Sequence, residues 1–543
     1  MKSIPAIPVL ILESIRLVTS LRWLFLSLLS ATLLIPFVGA QTVIVPAGTT
    51  MTLAGGTTYE NNGNIQLNGS NQYGQSILQL SGGNVTLSGG GTVTLSDNPW
   101  NFIEGDVAAD VLTVGPNQTI QGAGHIGSGN MILNNQGTIT ATGSNNPLNI
   151  DPSSATNVGT MQAAAGSTLN ITGTSVANVG GTIQSEQGGN VVITNSTVTG
   201  GTLGGTITMS NGSQLGGTVT NSAGGQIIVS GGITASLLAG GTLQNNGNIQ
   251  LNGSSSFAPS ILQLSGGNVT LSGAGTVTLS DNNYNFISGD AATDVLTVGQ
   301  HQTIQGAGHV GNGQLILNNQ GTIIATGTNP LYIDPNSATN SGTIQANSGS
   351  LMYVGSFNQT AGAVRLNGGS INATSSFVVS GGSVQGAGTF LGGPVSIQSG
   401  GKIAPNGTLN FSGGLTLGQG SELDFKLGTV SDLINVSGGT LTGSSGEHDI
   451  TIDIAASTGF GSGTYDLLKG NSFALFAADE FAIGSAPSGY TYNINFNSSL
   501  GELDLTATPS AVPEPSTYAA ILGLASMVFV MARRRFVGST RPV

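Results

Sequence analysis

The side chains able to carry chemistry are few and gathered. Asp97, Glu104, Asp106 and Asp110 fall within 14 residues, and Asp281, Asp290 and Asp294 echo them further along. Carboxylates at this density, with turn carbonyls beside them, are the oxygen ligands that a hard cation such as Ca2+ takes. Against that, Ser288 stands where the echo of Glu104 would fall, and the chain has neither an EF-hand loop nor a GGxGxD repeat. Solvated turns with Asx-type caps are the competing reading. The same segments hold Trp100 within Asp97-Asn98-Pro99-Trp100-Asn101-Phe102-Ile103 and Tyr284 within Asp281-Asn282-Asn283-Tyr284-Asn285-Phe286-Ile287. An aromatic ring flanked by Asn and Asp can stack on a sugar while its neighbours bond the hydroxyls; it can equally cover an apolar patch beneath a loop.

Other motifs point to structure. Gly122-Ala123-Gly124-His125-Ile126-Gly127 spells GxGxxG and recurs from Gly306 to Gly311. A dinucleotide site would need a helix next and an acid about 20 residues on. SGNMILNNQGT follows instead, so the glycines read as a turn, with His125 and His309 on its surface. Catalytic residues are not evident. Polysaccharide lyases need a base and hydrolases a matched carboxylate pair. The repeats have no Lys or Arg before Arg365, and their one adjacent acidic pair, Asp479-Glu480, lies near the end. A polysaccharide-active enzyme is therefore only an alternative. Ice binding is another, on local patterns such as Thr92-Val93-Thr94, Thr138-Ile139-Thr140 and Thr206-Ile207-Thr208, although their spacing looks too irregular for a rank.

What positions these residues is a chain of unusual composition. Its 543 residues include 87 Gly and no Cys, and only 6% are charged. An ordinary soluble domain carries about 25% charged residues and about 7% Gly. Zero Cys excludes disulfides, thiolate metal sites and Cys nucleophiles. No basic residue lies between Trp23 and Val364; without the two termini, four basic residues face 22 acids, a net charge of −18. Such a body cannot neutralise phosphates, so nucleic acid is excluded as an expected partner.

The centre is a duplication. Asn61 to Ala141 matches Asn245 to Ala325 at a shift of 184, sharing NNGNIQLNGS, ILQLSGGNVTLSG, DVLTVG and QTIQGAGH. Inside each copy, short segments alternate apolar residues with Thr, Asn or Gln between Gly- and Asn-rich turns, which is the strand signal. Strands this short bury a core only by stacking. The expected fold is all-β: an elongated Gly/Asn/Thr-rich β-solenoid, a right-handed parallel β-helix with a C-terminal β cap. Coils of roughly 20 residues at about 4.8 Å would make a rod on the order of 100 Å. An antiparallel sandwich array is the rival. The expected divisions are a signal peptide at 1–40, solenoid with the first copy at 41–237, solenoid with the second at 238–395, a closing β region at 396–510 and a sorting tail at 511–543.

The termini read as addresses. Lys2, Arg16 and Arg22 precede the apolar stretch Trp23–Val38, closing on Val38-Gly39-Ala40. That is a secretory signal cut after Ala40 by signal peptidase. At the other end stand Val512-Pro513-Glu514-Pro515-Ser516, the apolar run Tyr518–Ala532 and Arg533-Arg534-Arg535. This closely resembles the PEP-CTERM sorting signal of Gram-negative bacteria. The resemblance implies recognition of Pro513, Glu514 and Pro515 by an exosortase, a single transmembrane helix and a membrane stop at the arginines. The passages LDFKLGTVSDLINVSGGTLTG and SGYTYNINF resemble autotransporter-like passengers, though no C-terminal barrel follows. The implied protein is exported, held transiently in the cytoplasmic membrane, then delivered as a surface or matrix adhesin associated with exopolysaccharide or biofilm.

Overall fold

In the computed structural model the described residues are 41–510, apart from 356 and 475, and 515–537. The expected signal peptide and Ala40 lie outside them, as do Val512, Pro513 and Glu514. The fold is an all-β parallel β-solenoid of about 18 turns. A regular coil contributes three strands, each pairing in parallel with the third strand after it; where a long strand such as Thr197–Gly204 spans two sheets, the step is shorter. Asn64–Asn68 lies under Thr92–Leu95, Ser76–Ser81 under Asn101–Gly105, and Val85–Ser88 under Val111–Val114. Three sheets result, joined at corners by turns.

Period-two alternation places the apolar residues inside. One inward column runs Ile65, Val93, Ile120, Ile139, Met161 and Ile183, every side chain inaccessible to solvent. Burial of each such side chain contributes about 1.5–3 kcal/mol. The core is thus continuous from coil to coil, with no coil owning a closed core of its own.

Polar residues also enter, as ladders at one corner. Asn135 Nδ2 donates to Asn157 Oδ1 at 2.7 Å, and Asn157 Nδ2 to Asn178 Oδ1 at 2.7 Å. In the second copy Asn319 bonds Asn340, and Asn340 bonds Gln359, each at 2.6 Å. These amides also cap carbonyls of the next coil, as Asn157 does for Thr182 O at 3.3 Å. A primary amide suits this place because it donates and accepts along the stacking axis at once.

Register exposes the relation between the copies. Stepping from Phe102 through His125, Asn149, Asn170, Val192, Thr208, Ile228 and Gln250 reaches Thr278 in the eighth coil. Those 176 residues make eight coils, 22 residues each on average. Phe286, the counterpart of Phe102, lies on the following strand, Asn285–Gly289, whose column descends through Ser260–Ser265 and Thr234–Leu238 to the third sheet. The duplication therefore spans eight coils and one third. Equivalent residues stand on different sheets.

Two compact units are present, one running to Gly382 with Thr389–Gly393, the other comprising Ser383–Gly388 and the residues from Pro394. The second continues parallel pairing, as in Glu422–Leu427 with Ile450–Ala456, and then changes. Gly463–Gly470 pairs antiparallel with Glu502–Pro509, which pairs antiparallel with Tyr490–Asn497. This hairpin occupies the last strand edge of its sheet, a place otherwise open to further pairing.

The C-terminal segment Pro515–Val537 is an α-helix. No helix among the described residues is long and apolar enough to cross a membrane, so the expected transmembrane span is not confirmed. The 15-residue apolar run Tyr518–Ala532 extends about 22 Å against a hydrocarbon core of about 30 Å.

Replacing Asn157 by Ala removes the acceptor for Asn135 and the donor for Asn178. We expect a local loss of about 1–3 kcal/mol. Amide exchange should quicken at Thr160 and Thr182 while coils around Thr322 keep their protection; uniform or unchanged exchange would show that the ladder does not hold these coils.

Candidate functional site: turn clamps, loop ridges and the sorting tail

The GxGxxG segments are strands. Thr119–Gly122 and Gly124–Gly127 flank the corner at Ala123. Gly122 has φ +126°, and a Cβ there would come within 1.9 Å of Leu95 O; Gly306 repeats this at φ +123° and 1.9 Å from Leu279 O. The glycines let one coil seat on the one below, with no helix for a pyrophosphate to meet. The histidines lie on strands, where the sequence had placed them on a turn surface. His125 stacks on Phe102 with ring centroids 5.1 Å apart, and its Nδ1 lies 2.7 Å from Asp151 Oδ2. His309 stacks between Phe286 and Tyr332 and meets Asp334 at 2.6 Å. The partners sit one coil later, 26 and 25 residues along, beyond the reach of local reading.

The acidic residues are clamps on turns. Asp97 accepts from the backbone N–H groups of Ser144, Asn145 and Asn146 at 3.0–3.1 Å, holding a loop two coils away. Partial burial works against its ionisation, yet the Asn146 side chain and the Asn145 backbone keep the carboxyl below its usual value. Asp281 does the same for Thr328 and Asn329, the Thr328 hydroxyl donating at 2.6 Å. That hydroxyl and the Asn329 N–H hold Asp281 down at about 2. At a different corner Asp110 accepts from the Asp106 N–H at 3.1 Å while the Ser81 hydroxyl bonds Asp106 at 2.6 Å; Asp294, Asp290 and Ser265 repeat the arrangement. Burial and the Asp106 charge raise Asp110, whereas the Ser81 hydroxyl lowers Asp106.

Asp97 and the Asp106–Asp110 pair thus serve separate corners, as do Asp281 and the Asp290–Asp294 pair. Asp97, Asp106 and Asp110 are not brought together as the one Ca2+ ligand set that was among the two readings of their spacing. Among the described residues, the acidic triads close enough to share a cation are Glu422, Asp424 and Asp453, and Asp466, Glu502 and Asp504. Both already hold a lysine. Lys402 lies 2.7 Å from Glu422 and 2.9 Å from Asp424, and Lys469 lies 2.6 Å from Asp466 and 2.8 Å from Glu502. Lys402 pulls the Glu422 carboxyl down, but contact with Asp453 and partial burial leave it above its ordinary value.

The aromatic residues differ from the acids in having surface to offer. Trp100 is half-buried and Tyr284 is 37% exposed. Each follows an Asx turn closed by Asn98 or Asn282, whose Oδ1 accepts the ring residue's N–H at 2.9 Å. Beside each stands a ring that sequence reasoning passed over. Tyr73 is 89% exposed and Phe257 97% exposed. Positions 73 and 257 are equivalent at the 184 shift and fall between the shared motifs, where the two copies differ.

The tail decides the address. Residues 511–535 match the PEP-CTERM protein-sorting motif. The chain carries an exosortase sorting signal. In this PEP-CTERM tail the match spans Pro513, Glu514 and Pro515 and ends on Arg533, Arg534 and Arg535; Arg533 and Arg534 are exposed on the helix. A PEP-CTERM signal implies export and membrane-associated sorting with processing by exosortase. No curated protein matches the chain.

Because the folded value of Asp281 is about 2 against an ordinary 3.8, its clamp adds stability above pH 3.8 and loses it as pH falls through 2. The amide resonance of Asn329 should titrate with a midpoint near 2. In Asp281→Asn that titration should vanish; a midpoint near 3.8 in the native chain would mean the clamp is open in solution.

Proposed function

We propose that this protein is an exosortase-processed structural component of the cell surface or extracellular matrix, adhesin-like and associated with exopolysaccharide. One observation carries the reading: a sorting tail is joined to a solenoid in which Asp97, Asp106, Asp110 and His125 are engaged in turn clamps and inter-coil pairs. We read the protein as acting without catalysis. Repeated display of weak contacts gives avidity with no single strong site. An acidic surface free of Lys and Arg from residue 24 to 364 keeps neighbouring molecules from adhering side to side. Signal peptidase acts first on this route, and the tail helix engages the cytoplasmic membrane only until exosortase removes it.

A second reading draws on an alignment that irregular spacing concealed. Thr92, Thr119, Thr138, Thr160, Thr182 and Thr202 form one unbroken rank, all half-exposed on the first sheet. Neighbours in the rank stand about 4.8 Å apart, a regular hydroxyl array of the kind an ice surface would meet. Its companion rank mixes Gln with Thr, as at Gln121, Thr140, Gln162 and Gln184. Thermal hysteresis at micromolar protein would favour this reading over the matrix role.

Sorting is tested in the host. Substituting Pro513, Glu514 and Pro515 by Ala should leave full-length protein in the membrane fraction and cut the processed surface pool at least about tenfold, measured by fractionation and intact mass. Undiminished surface protein would overturn the proposed route.

A further inference from the structure

Tyr73 and Phe257 stand almost wholly in solvent, where a ring contributes nothing to the core. Their loops have diverged at every position, Asn71-Gln72-Tyr73-Gly74-Gln75 against Ser255-Ser256-Phe257-Ala258-Pro259, yet each keeps an aromatic at the tip. The backbone bonds are the same. Ser70 N donates to Gly74 O at 2.9 Å and Ser254 N to Ala258 O at 3.1 Å; Gly74 N returns to Asn71 O and Ala258 N to Ser255 O. Each loop is pinned to the loop of the next coil, which holds Trp100 or Tyr284. Gly69 N and Gly253 N donate to Asn101 and Asn285 at 2.7 Å, Ser76 N donates to Trp100 O at 3.0 Å, and Ser260 N to Tyr284 O at 2.9 Å. Each copy thus offers two aromatic residues on adjacent, rigidly joined loops, with Asn98 and Asp97 or Asn282 and Asp281 beside them.

We infer that these two ridges bind uncharged polysaccharide, and that one molecule ties two glycan chains together. The inference rests on the matrix reading above and names its ligand class and geometry. Exposed rings beside amides and carboxylates suit a pyranose, whose apolar face stacks while its hydroxyls find polar partners. Charge decides the class of glycan: no Lys or Arg lies anywhere in this stretch, and Asp97 or Asp281 borders each ridge, so a polyanion would be repelled. Cross-linking follows from register. The first ridge lies where the first sheet turns into the second, before Ser76–Ser81; the other lies where the second turns into the third, before Ser260–Ser265. Ridges on different edges cannot lie along one straight chain.

The test uses the full chain with dextran, amylose, a β-1,3-glucan and galactan as neutral probes, alginate and polygalacturonate as acidic ones, and the host's own exopolysaccharide. Binding is read by affinity electrophoresis and bridging by light scattering of the polymer. Tyr73→Ala/Phe257→Ala removes only solvent-exposed rings, so unchanged circular dichroism is expected with about tenfold or greater loss of affinity. Tyr73→Ala/Trp100→Ala and Phe257→Ala/Tyr284→Ala should each still bind a neutral glycan but no longer bridge it. Binding to the acidic polymers alone, or to no neutral probe, would overturn the inference. So would unchanged affinity in Tyr73→Ala/Phe257→Ala, bridging that survives in either ridge variant, or glycan-free self-association that those substitutions abolish. Failure of the native chain to bind any glycan, the host's included, would remove the matrix reading too; host-polymer binding untouched by the substitutions would remove this inference alone.

Discussion

Backbone passing over backbone at the distance of a β-ladder is the constraint on which everything else here depends. At about 4.8 Å per coil, a corner has no room for a side chain directed at the coil beneath. Gly122 and Gly306 meet that limit by lacking Cβ and by taking a positive φ. The asparagine ladders meet it in another way, by filling the corner with a flat group that bonds upward and downward. Inward columns of Ile, Val and Leu then stack without interruption, and the solenoid needs neither ion-pair networks nor disulfides in its first unit. The scarcity of charge is a result of this economy.

The same constraint explains where variation is tolerated. Strands must stay in register, but the loops between them leave the coil outward and change length freely. Asp97 reaches a loop 47–49 residues away because that loop stacks two coils above it. Function has collected on such loops, where rings and carboxylates are displayed without disturbing the core. The carboxylates bond the backbone of neighbouring turns, Asp97 and Asp281 from exposed positions, while the rings at 73 and 257 stand in solvent.

Much of this was legible in residues. Alternation in Val85-Thr86-Leu87 and Thr92-Val93-Thr94-Leu95 announced half-buried strands, and the 184-residue duplication announced a repeat. The tail was plain from Pro-Glu-Pro, the apolar run and three arginines in order. What was hidden lay across coils. The Thr92-to-Thr202 rank is regular in space and irregular in sequence, because corner loops absorb different numbers of residues between its members. His125 and Asp151 meet for the same reason, and no local window contains both. The acids deceived in the opposite direction: closeness in sequence suggested convergence, while the strand Asn101–Gly105 between Asp97 and Asp106 sends them to separate corners. Tyr73 was concealed by its ordinary surroundings, since a tyrosine among Asn, Gln and Gly is unremarkable until its exposure is known.

The fractional coil in the duplication has a consequence for growth of such molecules. A copied segment of eight and one third coils acts as a screw thread, advancing the display by one edge at each addition. Two copies occupy two edges of a three-edged body. A third copy at the same pitch would fill the remaining edge, and a fourth would return to the first. A lineage that adds whole copies at this pitch therefore spreads its display around the axis before it lengthens any single row.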